Sequence, residues 1–182
     1  MRTKNVWWLG IVVMIMLVGA GEVLAQGFGV PPPPPPVRFV DNGDGTVTDN
    51  VMRLQWEKKS ATCPGLHCVN DTYTWFNARE SFIPAVNDSS PDGVLSTGLG
   101  GHRDWRLPTI EELQSILIEP FSCGTHPCID PIFGPTGVVD YWSSTTLATG
   151  PSFAWVVEFL FGGVGPIEKS AAVLVRAVRG GP

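Results

Sequence analysis

The sequence has no excess of positive charge. Lysine and arginine together number 12 residues against 17 aspartates and glutamates, and the formal net charge at pH 7 is −5. A mildly acidic domain has no electrostatic reason to hold nucleic acid or an anionic membrane surface. We therefore expect no nucleic-acid partner.

The sequence also lacks an apolar run long enough to cross a bilayer as a helix. Its longest run, residues 6–20, has about 15 residues, and a spanning helix needs roughly 20. Arg2 and Lys4 precede this run, and small residues ending at Ala25 follow it. This layout predicts a secretory signal peptide at residues 1–25, export to the periplasm or the cell exterior, and no membrane span after cleavage. An uncleaved anchor is the alternative.

Cysteine is scarce, with four residues in the whole chain. They form two short pairs, Cys63 with Cys68 and Cys123 with Cys128. Exported proteins meet oxidising conditions, so disulfides are expected. Of the three connectivities, two local bridges are favoured because each pair spans a turn-rich segment.

Zinc is the alternative for these cysteines, with His67 and His126 as further ligands. Structural zinc sites usually separate paired cysteines by two residues, whereas four residues separate each pair here. The sequence therefore predicts two disulfides, no metal site and no cofactor.

No familiar catalytic arrangement is present. A nucleophile needs an adjacent base, but the three histidines lie in loop-like segments, and Ser143-Ser144 lacks the Gly-x-Ser-x-Gly pattern of hydrolases. We expect a protein that is not an enzyme.

The sequence predicts three parts of the chain, which are the signal peptide, a spacer and one folded domain. Residues 26–37 are rich in glycine and proline and include six consecutive prolines, residues 31–36. Such a run forms an extended polyproline rod, which favours a spacer over a docking site for a partner. Residues 38–181 then form one folded domain.

The folded part begins with a predicted hairpin. Asn42-Gly43 and Asp44-Gly45 interrupt the β-prone residues of 38–48, and such pairs are typical hairpin turns. A calcium loop is disfavoured because its fifth and twelfth positions are Gly45 and Met52. A further strand is expected from Leu54 to Trp56.

A first helix is expected from about Thr74. Trp75, Ala78 and Phe82 share one stripe of this helix. Pro84 limits or kinks it.

A second helix is expected after Thr109, which forms a capping box with Glu112. Its apolar stripe contains Leu113, Ile116 and Leu117. Pro120 is expected to end it.

The remainder is predicted to be β-structure, with strands in residues 140–145, 153–161 and 172–179 and a turn at Gly162-Gly163. Two helices followed by an antiparallel sheet predict an α+β domain. Five tryptophans in the mature chain are expected to lie mostly in its core. They are Trp56, Trp75, Trp105, Trp142 and Trp155.

Several ordered motifs between Arg38 and Gly181 resemble the Lcl C-terminal-domain family. They are Asn42-Gly43-Asp44-Gly45-Thr46-Val47-Thr48-Asp49, Leu54-Gln55-Trp56, Asp104-Trp105-Arg106-Leu107-Pro108 with Glu112-Leu113, Tyr141-Trp142-Ser143-Ser144, Ala154-Trp155-Val156-Val157 and Val175-Arg176-Ala177-Val178-Arg179-Gly180. The resemblance implies a C-type-lectin-like fold, with two helices packed on an antiparallel sheet, shared with formylglycine-generating enzymes.

The best-known member of this family is a trimeric collagen-like adhesin that binds sulfated glycans. This chain has no collagen repeat and a negative net charge, so neither property is carried over. The formylglycine-generating enzymes work through a cysteine pair near the C-terminal end of their fold. No cysteine follows Cys128 in this chain, so that activity is not carried over.

These observations favour a non-catalytic binding module, such as an adhesin or a receptor for a glycan or envelope ligand. A structural or assembly role in the cell envelope is the alternative, and a formylglycine-type enzyme is less favoured. We expect the partner to be an extracellular or periplasmic glycan or protein. The sequence does not decide whether the protein forms a homo-oligomer. Phe153, Phe161 and Lys169 are the candidate ligand contacts because they lie around the C-terminal hairpin.

Arg106 is expected to form a buried structural ion pair, because it stands between two apolar residues beside Asp104 and the capped helix. Arg176 and Arg179 are similar candidates. The residues predicted to hold the fold together are Trp105, Arg106, Leu107, Pro108, Glu112, Trp142, Arg176 and Arg179.

Overall fold

The structure is a computed structural model that describes residues 36–62, 66–88, 97–118, 123–124 and 126–181. The predicted signal peptide, all but the last two residues of the spacer, and Cys63 lie outside the described residues. Among the described helices, none is long and apolar enough to cross a membrane.

The described part of the chain is an α+β domain with two sheets, which confirms the predicted class. Its strands, in chain order, are β1 (Phe39–Asp41), β2 (Thr46–Asp49), β3 (Leu54–Glu57), β4 (Thr72–Tyr73), β5 (Asp140–Thr146), β6 (Phe153–Glu158), β7 (Val164–Glu168), β8 (Val173–Leu174) and β9 (Val178–Gly180). The α-helices are α1 (Trp75–Asn77), α2 (Ile83–Asp88) and α3 (Ile110–Ser115); a π-helical turn (Ala78–Phe82) joins the first two, and 3₁₀ turns occur at Leu99–Gly101 and Pro131–Phe133.

The first sheet has the order β1-β2-β3-β9 and is antiparallel throughout. The predicted hairpin is confirmed, because Asp41 pairs with Val47 across the turn. Asp41 Oδ1 accepts a hydrogen bond from the Gly43 amide at 3.0 Å, and Asp44 Oδ1 accepts one from the Thr46 amide at 3.0 Å. The acidic side chains of this turn therefore stabilise their own backbone.

The second sheet has the order β4-β8-β5-β6-β7. The expectation of a purely antiparallel sheet is wrong at one pair, since β8 runs parallel to β5 with Leu174 opposite Tyr141. Strand β7 was not predicted, and it forms an antiparallel hairpin with β6.

The expected strand over residues 172–179 is also wrong, because it is two strands in two different sheets. β8 belongs to the second sheet and β9 to the first, and residues 175–177 cross between them. The crossing is fixed by hydrogen bonds to β3: the Glu57 amide donates to the Ala177 carbonyl at 3.0 Å.

The first helical segment begins where predicted. Thr74 Oγ1 accepts a hydrogen bond from the Asn77 amide at 3.2 Å and caps α1. Pro84 does not end the segment, which continues to Asp88. The proline is tolerated because it stands where the π-helical turn meets α2, so the regular bonding pattern is already interrupted.

Helix α3 carries the predicted capping box between Thr109 and Glu112. It ends at Ser115, earlier than expected, and Pro120 lies outside the described residues. The Ser115 hydroxyl donates to the Glu112 carbonyl at 2.7 Å. This local bond occupies a carbonyl that a longer helix would use.

The tryptophans lie mostly in the core, as predicted. Trp56, Trp75, Trp105 and Trp142 are at most 6% exposed, whereas Trp155 is half-buried. The core lies between the sheets and the helices, and the fold brings Arg79 and Ile83, the segment 106–109 and Ser144 together around a surface cleft.

Candidate functional site

One surface cleft of about 430 Å³ brings together three distant parts of the chain. We call it the arginine cleft. Its lining residues are Arg79, Ile83, Arg106, Leu107, Thr109 and Ser144.

Arg79 is presented by the π-helical turn. The buried face of this segment contains Trp75, Ala78 and Phe82, which leaves Arg79 outside. Its guanidinium lies 4.5 Å from the centroid of the Trp75 ring, four residues earlier. This cation–π contact holds the exposed side chain against the helix surface.

Arg79 has no acidic partner in the part of the chain that the structure describes, since none of the ion pairs there includes it. The cleft therefore contains a positive charge that no described acidic side chain neutralises. Such a charge at a concave surface attracts anions.

Arg106 forms the opposite side of the cleft. Its two terminal nitrogens each contact one oxygen of Glu112 at 2.7 Å, and Nη2 also donates to the Gly180 carbonyl at 3.1 Å. The predicted ion pair is present, but its partner is Glu112 and the Arg106 side chain is 41% exposed. Arg106 therefore lines a surface cleft and does not lie in the core.

Glu112 links this ion pair to the start of α3. Its Oε2 accepts from Arg106 and also from the Thr109 amide at 2.8 Å. Burial alone would raise the pKa of Glu112, but the hydrogen bonds from Arg106 and Thr109 outweigh burial and lower it. The carboxylate thus stays ionised and holds Arg106 in place.

Hydroxyl and apolar groups complete the cleft. Thr109 Oγ1 accepts from the Glu112 amide at 3.2 Å, so its own proton can be donated to a ligand. Ser144 Oγ donates to the Pro108 carbonyl at 3.1 Å. Ile83 and Leu107 supply apolar surface. This combination of a cation, hydroxyls and apolar side chains is suited to binding.

The motif around Arg106 is held by backbone and side-chain bonds. Arg106 pairs with Val178 through two backbone hydrogen bonds of 2.8 and 2.9 Å, which extends the first sheet. The Asn87 side chain bonds both the amide and the carbonyl of Trp105, at 2.8 and 3.0 Å. Trp105 and Leu107 are buried, as is Pro108.

Asp104 pairs with Arg179 rather than with Arg106. Arg179 Nε lies 2.6 Å from Asp104 Oδ1, and its Nη1 donates to Gln55 Oε1 at 2.8 Å. Trp142 is fully buried and donates its indole N–H to the Tyr73 carbonyl at 2.8 Å.

A second group of charges lies inside the protein. Glu57 is fully buried; its Oε1 contacts Lys59 Nζ and His67 Nδ1, each at 2.8 Å, and its Oε2 accepts from the Ala177 amide at 2.9 Å. Burial raises the pKa of Glu57, yet the charge of Lys59 and the hydrogen bond from His67 bring it down to about 2. Burial lowers the pKa of Lys59, and Glu57 partly offsets this effect.

Arg176 lies beside this group and is also fully buried. It donates to the carbonyls of Glu57 and Phe133 at 2.7 and 2.9 Å and to Thr136 Oγ1 at 2.8 Å. Among the described residues its Nε has no hydrogen-bond partner. Arg176 therefore connects β3, the 3₁₀ turn Pro131–Phe133 and the crossing between the sheets.

The predicted disulfide between Cys123 and Cys128 is confirmed, with an S–S distance of 2.03 Å. Cys68 is also in a disulfide, and Cys63 lies outside the described residues. His126 lies between Cys123 and Cys128 in the sequence and packs against Phe161, with the ring centroids 5.2 Å apart.

A second cleft, of about 460 Å³, opens beside His126. We call it the proline cleft, since Pro127, Pro131 and Pro135 line it together with His126 and Ile129.

The three candidate ligand contacts do not come together. Phe153 and Phe161 are exposed, by 39% and 54%. Phe153 begins β6, a strand about 17 Å long, whereas Phe161 lies in the turn beyond the other end of this strand. Lys169 is only 7% exposed. Its Nζ donates to Thr146 Oγ1 at 2.8 Å and lies 4.0 Å from the Trp75 ring centroid. Lys169 therefore packs on Trp75 through a cation–π contact.

Sequence reasoning missed Arg79, Glu57 and Lys59. For Arg79 a signal was present, because Trp75 and Arg79 are four residues apart on a predicted helix and such pairs stack. For Glu57 and Lys59 no local signal exists, since Glu57 bonds a residue 120 positions away.

No curated protein matches the chain. Over residues 45–179, which is most of its length and includes all the lining residues of the arginine cleft, the sequence matches the Lcl C-terminal domain. The chain belongs to the Lcl C-terminal domain family.

Proposed function

We propose that this protein is an exported, non-catalytic binding module that holds an acidic group of its ligand in the arginine cleft. The observation that carries the proposal is Arg79, a cation fixed on Trp75 at the cleft and without an acidic partner among the described residues. A planar guanidinium suits a carboxylate or another oxyanion, which it can bind through two parallel hydrogen bonds.

The remainder of the cleft supports a sugar or peptide carrying that acid. Thr109 can donate a hydrogen bond, and Ile83 and Leu107 offer apolar contact. Arg106 keeps its charge balanced by Glu112 and shapes the wall. The ligand class is thus an acidic glycan or an acidic protein segment, met in the periplasm or outside the cell.

A binding role without turnover is supported by how the hydroxyls are used. A serine nucleophile needs a base within hydrogen-bond distance. Ser144 instead donates to a backbone carbonyl, and the histidines at positions 67 and 126 contact Glu57 and the Leu160 carbonyl, away from the arginine cleft. We include a C-type-lectin-like fold in this proposal, supported by the two sheets and the family membership.

We also propose Phe161 as a second residue that contacts the ligand. It is exposed and packs edge to face on His126, which lines the proline cleft, and aromatic side chains are common at binding surfaces. That Phe153 and Lys169 contact the ligand stays a prediction from the sequence. A structural or assembly role in the envelope is the alternative function, and a homo-oligomer is compatible with both.

The test is an array of acidic and neutral oligosaccharides together with acidic peptides, screened with the purified protein. We expect at least one acidic member to bind, and Arg79→Ala to weaken its binding about tenfold, since hydrogen bonds to charged groups contribute about 1.5 to 3 kcal/mol. The matched control is Arg103→Ala, which removes the same charge from an exposed residue outside the cleft lining.

Two results would contradict the proposal. One is a ligand whose affinity is the same for wild type and Arg79→Ala. The other is an equal loss in Arg79→Ala and Arg103→Ala, which would indicate an effect of net charge alone.

A further inference from the structure

Phe76 is an exposed aromatic side chain beside Arg79. It is 51% exposed and stands three residues before Arg79, which is the spacing of neighbours on a helix surface. Its ring meets the Trp75 ring edge to face, with the centroids 5.5 Å apart, and the Arg79 guanidinium lies 4.5 Å from the same Trp75 ring. Trp75 therefore carries a cation and an exposed aromatic ring next to each other.

The core holds Trp75 in place. Its indole N–H donates to the Ser143 carbonyl at 2.9 Å, and Lys169 Nζ lies 4.0 Å from its ring centroid. The π-helical turn Ala78–Phe82 follows, and such turns occur frequently at functional sites. The two exposed side chains on Trp75 thus have a fixed support, so a ligand that covers them orders little of the protein.

The arginine cleft itself has apolar walls. Ile83 and Leu107 line it, and Ile83 comes from the same helical segment as Phe76 and Arg79. An acidic group bound to Arg79 therefore has apolar side chains of the protein as its neighbours.

Most polar groups of the cleft are already bonded within the protein. Arg106 contacts both oxygens of Glu112, and the Ser144 hydroxyl donates to a backbone carbonyl. The Thr109 hydroxyl keeps a proton that it can donate. A sugar ring carries several hydroxyls, and each one that loses water without gaining a new partner weakens binding. The cleft therefore suits an acid with an apolar neighbour better than it suits a sugar.

We propose that the acidic ligand of the arginine cleft is a protein segment in which an acidic residue adjoins an apolar one. Arg79 binds the carboxylate through two parallel hydrogen bonds, and Phe76 and Ile83 pack against the apolar side chain. A peptide presents such a pair on consecutive residues, and each residue adds one amide N–H and one carbonyl instead of several hydroxyls. This ligand class rests on the proposed function and narrows it from an acidic glycan or peptide to an acidic peptide with an apolar neighbour.

The experiment screens the purified protein against matched sets of short, end-blocked synthetic peptides. In the first set aspartate or glutamate stands next to phenylalanine or leucine. In the second set the same acid stands next to serine, and in the third set asparagine or glutamine replaces the acid beside phenylalanine or leucine. We expect members of the first set to bind more tightly than those of the other two. Acidic oligosaccharides are screened alongside and report the other ligand class.

Variants then test the apolar half of the site with the peptide that binds most tightly. We expect Phe76→Ala to weaken its binding about tenfold, because the ring loses its apolar contact with the ligand. Phe76→Leu keeps an apolar side chain and should recover most of the affinity. Circular dichroism checks that both variants fold, which we expect because Phe76 is exposed.

The matched control is Val139→Ala. Val139 is 52% exposed, precedes β5 and does not line the arginine cleft. Its loss removes a similarly exposed apolar side chain and should leave the affinity for the peptide unchanged.

Three results would overturn this assignment while the proposed function stands. The first is binding of acidic oligosaccharides that depends on Arg79, without a preference for the first peptide set. The second is equal affinity of wild type and Phe76→Ala for a peptide whose binding Arg79→Ala weakens. The third is an equal loss in Phe76→Ala and Val139→Ala. If Arg79→Ala binds every acidic ligand as wild type does, the proposed function fails, and the peptide assignment fails with it.

Discussion

Arg176 and Arg79 show how position decides what an arginine does in this protein. Arg176 is fully buried, and three of its hydrogen bonds go to groups of the protein itself. Arg79 is exposed, stacked on Trp75, and pairs with no acid among the described residues. The first side chain is committed to the fold, whereas the second is the one that we propose to bind a ligand. Arg106 is intermediate, since it is paired with Glu112 yet lines the cleft.

The largest effect on stability is expected for Arg176→Ala. The change leaves a cavity and removes the donors of two buried carbonyls, which we expect to cost about 4 kcal/mol in the free energy of unfolding. Chemical denaturation measures it. Arg176→Met fills most of the volume and should restore part of the loss. A cost under about 1 kcal/mol would contradict the structural role of Arg176.

Acid should weaken the protein through Glu57. Its pKa falls from 4.5 to about 2 in the folded state, so its carboxylate stabilises the fold above pH 4.5. That contribution is lost as the pH falls from 4.5 towards 2, and it amounts to about 3 kcal/mol.

Denaturation of wild type and Glu57→Gln over pH 6 to 2.5 tests this expectation. The glutamine variant should be less stable at pH 6, because Lys59 then loses its counter-charge. It should also lose less stability on acidification. Parallel pH profiles would show that other groups cause the acid sensitivity.

A smaller loss of stability is expected for Arg106→Ala, about 2 kcal/mol. The change removes two contacts to Glu112 and one to the Gly180 carbonyl. Because the side chain is 41% exposed, water screens part of the interaction. Thermal denaturation measures the loss. Arg106→Lys keeps the charge but not the two-point contact, so a fully stable lysine variant would mean that geometry is unimportant here.

The smallest effect on folding is expected for Arg79→Ala. The cation–π contact with Trp75 contributes about 0.5 kcal/mol at an exposed site, so the melting temperature should shift by at most a few degrees. A loss as large as that of Arg106→Ala would show that Arg79 supports the fold and would remove the contrast with Arg176.

Local signals in the sequence predicted local structure well. The turn pairs between Asp41 and Thr46 gave the hairpin, and the Thr109–Glu112 capping box gave the start of α3. In each case the residues that decide the conformation are within a few positions of one another. The disulfide between Cys123 and Cys128 is another short-range feature of this kind.

Long-range features could not be predicted in the same way. The division of residues 172–179 between two sheets depends on Glu57 and Arg176, which are 119 positions apart. Lys169 was predicted as a ligand contact because it lies near the C-terminal hairpin, and in the structure Trp75 and Thr146 hold it in a buried position. Such contacts depend on the folded chain and have no periodicity in the sequence.

The crossing at residues 175–177 has a consequence for how the protein opens. β8 and β9 have two and three residues and lie in different sheets. The two sheets therefore cannot move apart unless one of these short strands leaves its sheet. The two sheets should therefore lose their structure in one cooperative step. In hydrogen-exchange experiments the amides of Ala177 and Val178, which donate to Glu57 and Arg106, should exchange only when the whole domain unfolds.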